Sequence, residues 1–88
     1  MNHAIHKITT QMELLALVKA WVLLFRTAPR MLLTNSAYDA QDNMVFPGAG
    51  CSVVRWSRFG LTVEADGQDV RLPWGQPLMV RLETEVAR

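Results

Sequence analysis

The stretch Met12–Arg26, MELLALVKAWVLLFR, decides the fold of this chain. At the 3.6-residue period of an α-helix, most of its apolar side chains share one broad face, and others lie beyond that face around Lys19. A small sheet covers one stripe of a helix, so this pattern predicts apolar surface that needs a partner. The residues that we expect to divide between the core and an interface are Leu14, Leu17, Trp21, Leu24 and Phe25.

The two ends of the helix are predicted by short signals. Thr10 and Glu13 have the spacing of a capping box, in which each residue bonds the backbone N–H of the other. Pro29 disfavours helical geometry at the residue before it. We therefore predict a polar lead-in over residues 1–9 and a helix over residues 10–28.

Alternating apolar residues after the helix predict an antiparallel sheet over residues 31–86. Asp66-Gly67 is a strong two-residue hairpin turn. The pairs expected across it are Ala65 with Gln68, Val63 with Val70, Leu61 with Leu72 and Phe59 with Trp74. A second hairpin about Gly75-Gln76-Pro77 would pair Trp74 with Leu78, Leu72 with Val80 and Val70 with Leu82.

These elements predict an α+β fold in a single domain, residues 1–88. One long N-terminal helix is followed by a small antiparallel β-meander or a partly closed β-barrel. Earlier short strands are expected at Met31–Leu33, Met44–Phe46 and Cys51–Trp56.

Composition limits the classes of function. The net charge of +1 disfavours nucleic acid as a partner. Cys51 is the sole cysteine, which excludes an intramolecular disulfide and a Cys-based metal site and suits a cytoplasmic protein. Lys19 interrupts an apolar run that is shorter than a membrane span, so neither membrane insertion nor a signal peptide is expected.

Several polar groups are candidates for chemical sites. His3 and His6 are read as part of a solvated tail, and Asp39, Asp42 and Asn43 as a polar loop. Pro47-Gly48-Ala49-Gly50 is read as a turn, since it lacks the Lys-Ser/Thr of a phosphate-binding loop. Ser36, Ser52, Ser57 and Cys51 have no histidine nearby to act as a base. We therefore expect no enzyme activity, no cofactor and no metal.

A second candidate contact patch lies on Arg55, Trp56 and Arg58. An exposed Trp between two Arg residues is typical of recognition surfaces. The alternative is that Trp56 covers the sheet while the two arginines are solvated.

Two short motifs carry a family resemblance. Arg26-Thr-Ala-Pro-Arg30 has the form RxxxR, and Ser57-Arg-Phe-Gly60 has the form SxxG. In this order they resemble the PilZ domain, a small β-barrel family that binds cyclic di-GMP through paired arginines and a (D/N)xSxxG stretch. The resemblance implies Arg26, Arg30, Ser57 and Gly60 as ligand contacts. Arg55 stands where the family has Asp or Asn.

The sequence thus predicts a small, non-enzymatic protein–protein interaction module that uses a hydrophobic helix face. Such a chain would be a bacterial or phage-encoded accessory protein, an adaptor, regulator or inhibitor, and a homodimer or the partner of another protein. The alternative function is that of a degenerate PilZ-like domain that binds a cyclic dinucleotide.

Overall fold

The computed structural model describes residues 4–84. The strands are β1 (Ile5–Ile8), β2 (Pro29–Leu33), β3 (Ala37–Tyr38), β4 (Met44–Val45), β5 (Cys51–Ser57), β6 (Gly60–Ala65), β7 (Gln68–Leu72) and β8 (Leu78–Thr84). The helix α1 spans Gln11–Phe25. The described part of the chain therefore has the predicted α+β composition, with one helix and a mostly antiparallel sheet.

Six strands form one sheet in the order β1-β8-β2-β5-β6-β7, and β3 and β4 form a separate pair. Every pairing is antiparallel. The sheet does not close into a barrel in the described residues. Helix α1 connects β1 to β2, which lie on either side of β8, and it contacts both of these strands.

The prediction of a polar lead-in followed by a long helix was wrong in two respects. Ile5–Ile8 is a strand that pairs with β8, and Ile8 is buried in the core. The helix is shorter than predicted, because Arg26 takes a left-handed conformation (φ 60°) and its N–H bonds the carbonyl oxygen of Val22. This C-cap ends the helix at Phe25, so Thr27 and Ala28, which were predicted to be helical, lie outside it. The predicted tail residue His3 lies outside the described residues.

The predicted start of the helix is confirmed. The Thr10 side chain accepts a hydrogen bond from the Glu13 backbone N–H at 3.1 Å, and Glu13 Oε1 accepts one from the Thr10 backbone N–H at 3.0 Å. The same oxygen accepts from the backbone N–H and the hydroxyl of Thr9. These hydrogen bonds, those from Thr9 first, lower the pKa of Glu13 because they favour its charged form.

The β6–β7 hairpin has the predicted register. Val63 pairs with Val70, and Asp66 and Gly67 have the positive φ angles (52° and 78°) of the expected turn. The fourth predicted pair is absent from the described pairing, since β6 begins at Gly60 and Phe59 is exposed in the preceding turn.

The predicted β7–β8 hairpin was wrong. Strand β8 pairs with β1 on one side and β2 on the other, while β7 lies at the far edge of the sheet. The alternation of Leu78, Val80 and Leu82 places these side chains on the core side of the sheet, whichever strand pairs with β8. The pattern therefore could not determine whether β7 or another strand is the neighbour of β8.

The core lies on the inner face of the sheet. Its fully buried side chains are Leu14, Leu33, Leu61, Val63, Leu72, Leu78, Val80 and Leu82. Of the residues of α1, all of which are described, Leu14 alone is buried. The helix therefore packs on the sheet through Leu14 and, less completely, through Leu17, Val18 and Trp21, and the apolar residues of its last turn are exposed.

Candidate interaction surfaces

The outward side of α1 is apolar and exposed. Leu23 and Leu24 are 69% and 74% exposed. Met12, Leu15, Val22 and Phe25 are exposed as well, and we call these six residues the outer helix face. Met12, Leu15 and Leu23 lie around Lys19, whereas Leu24 and Phe25 lie beside the residues that face the sheet. Exposed apolar side chains on a monomer are normally scattered singly, and their concentration on one element is typical of an interaction surface.

An apolar groove runs beside this face, between α1, β1 and the end of β8. Its volume is about 510 Å³. Helix residues Leu17, Trp21, Leu24 and Phe25 line one side, and Leu82 lies among the residues of the other. Leu24 and Phe25 line the groove, so the groove adjoins the part of the outer helix face that these two residues form.

The five helix residues predicted to divide between core and interface differ in their burial. Leu14 belongs to the core, whereas Leu17 and Trp21 are half-buried and pack against it. Leu24 and Phe25 are exposed. Met12 and Leu23, which were outside the predicted interface set, are among the most exposed residues of the helix.

Trp21 links the core to the groove. Its ring lies 4.3 Å from that of Phe25, with a 42° angle between the planes. Its Nε1 is buried and has no hydrogen-bond acceptor among residues 4–84. A buried donor without an acceptor costs about 1–3 kcal/mol, so the Trp21 indole is held there by packing.

The second predicted patch is rearranged by a β-bulge. The register of β5 against β6 shifts between Val53 and Arg55, so that Arg55 is opposite Thr62 and Trp56 is opposite the buried Leu61. Trp56 is therefore half-buried against the core instead of exposed. If the strand alternated regularly after Val53, the Trp56 side chain would point away from the core. The extra residue of the bulge turns it toward the core.

An exposed aromatic residue was missed by the sequence reasoning. Phe59 lies in the tight turn between β5 and β6 and is 57% exposed. The guanidinium carbon of Arg58 is 4.8 Å from its ring centroid, and that of Arg71 is 5.9 Å away. The signal was available in the sequence, since Arg58-Phe59 occupies the two-residue turn before a glycine.

Gly60 is required by the geometry of this turn. It has a φ of 152°, and a Cβ at this position would lie 2.4 Å from the Leu72 carbonyl oxygen. The Trp74 indole N–H bonds the Ser57 carbonyl oxygen at 2.8 Å and anchors the turn from the other side. Ser57 and Gly60 of the SxxG motif therefore have structural roles of their own.

The two arginines of the RxxxR motif lie in different settings. Arg26 is the helix C-cap, and Arg30 in β2 forms an ion pair with Glu83 at 3.6 Å. Strands β2 and β5 are antiparallel neighbours, which places Arg30 and Ser57 toward the same end of the sheet.

The remaining candidates lie apart from one another. His6 is half-buried in β1 and lines the groove. Asp39 organises the β3–β4 turn through hydrogen bonds to the backbone N–H groups of Gln41 and Asn43. Cys51 is buried, which raises the pKa of its thiol, and Asp66 raises it further. Within residues 4–84, no three His, Cys, Asp or Glu side chains form a metal-binding cluster.

The described part of the chain contains no helix with the length and apolarity needed to cross a membrane. Comparison with known proteins finds no matching family model, no matching curated protein and no matching solved structure. Function is therefore inferred from the surfaces described above.

Proposed function

We propose that this protein is a non-catalytic interaction module that dimerises through the outer helix face of α1. The observation that carries the proposal is the exposure of six large apolar side chains on one helix. Hydration of such a surface is unfavourable, and burial against a second apolar surface relieves it.

The exposed apolar residues of α1 and the adjoining groove are the surface available to a second chain. A standard interface takes ~800 Å² from each partner, so the dimer must cover the groove as well as exposed helix residues.

A second copy of the chain is the partner that fits best. A two-fold dimer brings the same surface from both chains together, so an apolar face meets an apolar face. Ala16 and Ala20 are small exposed residues of α1 that permit close approach of two helices. Lys19 lies between Leu15 and Leu23, one helical turn from each, and its flexible stem lets the ammonium group extend past them to solvent.

The test is the molar mass in solution, measured by light scattering and by sedimentation equilibrium across the micromolar range. The wild-type chain is expected to be a dimer, and Leu23→Glu and Leu24→Glu are each expected to be monomers with unchanged circular dichroism. Phe46→Glu is the matched control, because Phe46 is 74% exposed but lies outside the helix. A wild-type monomer throughout this range, or equal dissociation by Phe46→Glu, overturns the proposal.

A second candidate is binding of cyclic di-GMP, as the PilZ resemblance implies. It is favoured by the placement of Arg30 and Ser57 toward the same end of the sheet. Calorimetric titration of cyclic di-GMP tests it, with Arg26→Ala and Arg30→Ala as variants that should lose the heat of binding. Absence of heat at high micromolar ligand rejects it.

A further inference from the structure

Strand β1 is an edge of the six-stranded sheet, and one side of it is open. It pairs with β8 over Ile5–Ile8, and no other strand of residues 4–84 lies beside it. Ile5 is 51% exposed, and Lys7 is exposed as well. The backbone groups on the open side of an edge strand are available to pair with an added strand.

The hydrogen bonds of Met79 in β8 show which way the neighbouring backbone groups point. Its carbonyl oxygen accepts from the Thr34 N–H at 2.8 Å, and its N–H donates to Asn35 Oδ1 at 2.8 Å. Both groups of Met79 therefore point to the segment that follows β2, away from β1. Successive residues of a strand direct their backbone groups to opposite sides, so those of Val80 point to β1.

This direction identifies the free groups of β1. Val80 is opposite His6, so the backbone groups of His6 point to β8. The N–H and C=O groups of its neighbours Ile5 and Lys7 consequently point to the open side. These are the groups that an added strand would bond.

The side chains of β1 restrict how a second β1 can be added. Ile8 is buried and His6 lines the apolar groove, so both face the helix side of the sheet. Ile5 and Lys7 face the other side. Directly opposite residues of an antiparallel pair share one face, so Ile5 and Lys7 must be matched with residues of their own face.

One antiparallel register satisfies both conditions. With His6 opposite His6 of the partner subunit, Ile5 is opposite Lys7 of the partner subunit, and Lys7 is opposite Ile5 of the partner subunit. The backbone groups of these two residues point to the open side, so each such pair exchanges both of its hydrogen bonds. A register centred on Lys7 would place two like charges directly opposite each other, which is destabilising.

The same register brings the two apolar grooves together. Ala4 and His6 line the sheet side of the groove, and Leu24 and Phe25 line its helix side. The two-fold axis that relates two antiparallel strands of one sheet is perpendicular to that sheet, so both α1 helices lie on the same face. Each groove then has the groove of the partner directly beyond β1.

We propose that the β1 strands of two copies pair antiparallel, with His6 at the two-fold axis, and join the two sheets into one. This inference rests on the dimer proposed above and specifies the strand and the register that connect its two chains. Strand β7 is the other edge of the sheet, but the recess beside it is lined mainly by polar residues. Pairing at β7 would therefore bury less apolar surface than pairing at β1 does.

The first experiment is disulfide cross-linking of the full chain in oxidised glutathione. The two Cα atoms at position 6 are expected to lie about 4.5 Å apart, within the range of a disulfide. Those at position 7 are expected to be about 8 Å apart, which is beyond that range. His6→Cys should therefore form a linked dimer at least about tenfold faster than the more exposed control Lys7→Cys.

Two further chains complete this experiment. The wild-type chain, whose Cys51 is buried, should remain unlinked, and so should Val70→Cys, which tests pairing at the β7 edge. Equal rates for His6→Cys and Lys7→Cys, or faster linking of Val70→Cys, overturn the proposal.

The second experiment removes one backbone donor from the open side. Lys7→Pro deletes an N–H that does not bond β8, so the chain should keep its circular dichroism. Its dimer dissociation constant, measured by sedimentation equilibrium, should rise by roughly tenfold or more. Lys7→Ala is the matched control, because it removes the same side-chain charge but keeps the N–H, and it should dimerise like the wild type.

The results distinguish the two proposals. A wild-type chain that is monomeric across the micromolar range rejects the dimer itself. A wild-type dimer that Lys7→Pro leaves as tight as Lys7→Ala does, or that His6→Cys fails to link, rejects pairing through β1 and leaves the dimer in place.

Discussion

The side-chain amide of Gln76 bonds both backbone groups of Tyr38. Its Oε1 accepts from the Tyr38 N–H at 2.8 Å, and its Nε2 donates to the Tyr38 carbonyl oxygen at 2.7 Å. The side-chain amide of Asn35 makes two similar bonds to the other segment. Its Nδ2 donates to the Pro77 carbonyl oxygen, and its Oδ1 accepts from the Met79 N–H. Two side-chain amides thus join residues 35–38 to residues 76–79, two segments that do not pair with each other as strands.

We expect Gln76→Ala to lower the free energy of unfolding by about 1–2 kcal/mol, because it removes two hydrogen bonds to the exposed backbone groups of Tyr38, each of which contributes about 0.5–1.5 kcal/mol. Urea denaturation followed by tryptophan fluorescence measures the change. Gln68→Ala is the control, since Gln68 is an exposed strand residue and its loss should cost less than about 0.5 kcal/mol. Equal effects of the two variants would contradict the role of the amide.

Gly60→Ala is expected to lower the free energy of unfolding by about 2–4 kcal/mol. Its Cβ would collide with the carbonyl oxygen of Leu72, and the φ of 152° is unfavourable for any L side chain. Gly48→Ala is the matched control, because Gly48 also has a positive φ (57°) but has open space around it. That control should cost only about 1 kcal/mol. A similar cost for both would show that the close approach to Leu72 does not matter.

Leu14→Ala should cost about 2–5 kcal/mol of stability, because Leu14 is the fully buried contact of the helix with the core. Leu24→Ala should leave the stability of the monomer within about 0.5 kcal/mol, since its side chain is exposed. It should nevertheless weaken the proposed dimer. Thermal unfolding at high dilution, combined with sedimentation at higher concentration, separates the two effects. Destabilisation of the monomer by Leu24→Ala would place this residue in the core instead.

The free energy of unfolding should depend on pH in part through Glu13. Its pKa is lowered in the folded state, first by the Thr9 backbone N–H, so the folded state binds a proton less readily than the unfolded state does. The contribution is therefore present above the unfolded pKa, near 4.5, and is lost as the pH falls through the lower, folded pKa. Glu13→Gln should reduce the loss of stability below pH 4.5, measured by denaturation at several pH values. An unchanged pH profile would contradict this assignment.

Much of the local structure was predictable from the sequence. Two features depend only on residues a few positions apart, namely the capping box of Thr10 and Glu13 and the strand register about Asp66-Gly67. The conformational preferences of such short segments depend little on the rest of the fold. The surplus of apolar surface on α1 was likewise visible in its sequence. The exposure of Phe59 was missed, because apolar alternation extends the strand to this residue, whereas the strand begins at Gly60 and Phe59 lies in the turn before it.

The sequence by itself determined the start of the helix, the β6–β7 hairpin and the apolar character of α1, since each follows from short-range geometry. Only the tertiary structure decided that β8 lies between β1 and β2, that a bulge turns Trp56 inward, and that α1 contributes little more than Leu14 to the buried core. The physical reason is that several strands have the same alternation of apolar residues, so each of them could pair with more than one of the others. The choice among them is made by which strands can pack together in one sheet, a competition between distant segments.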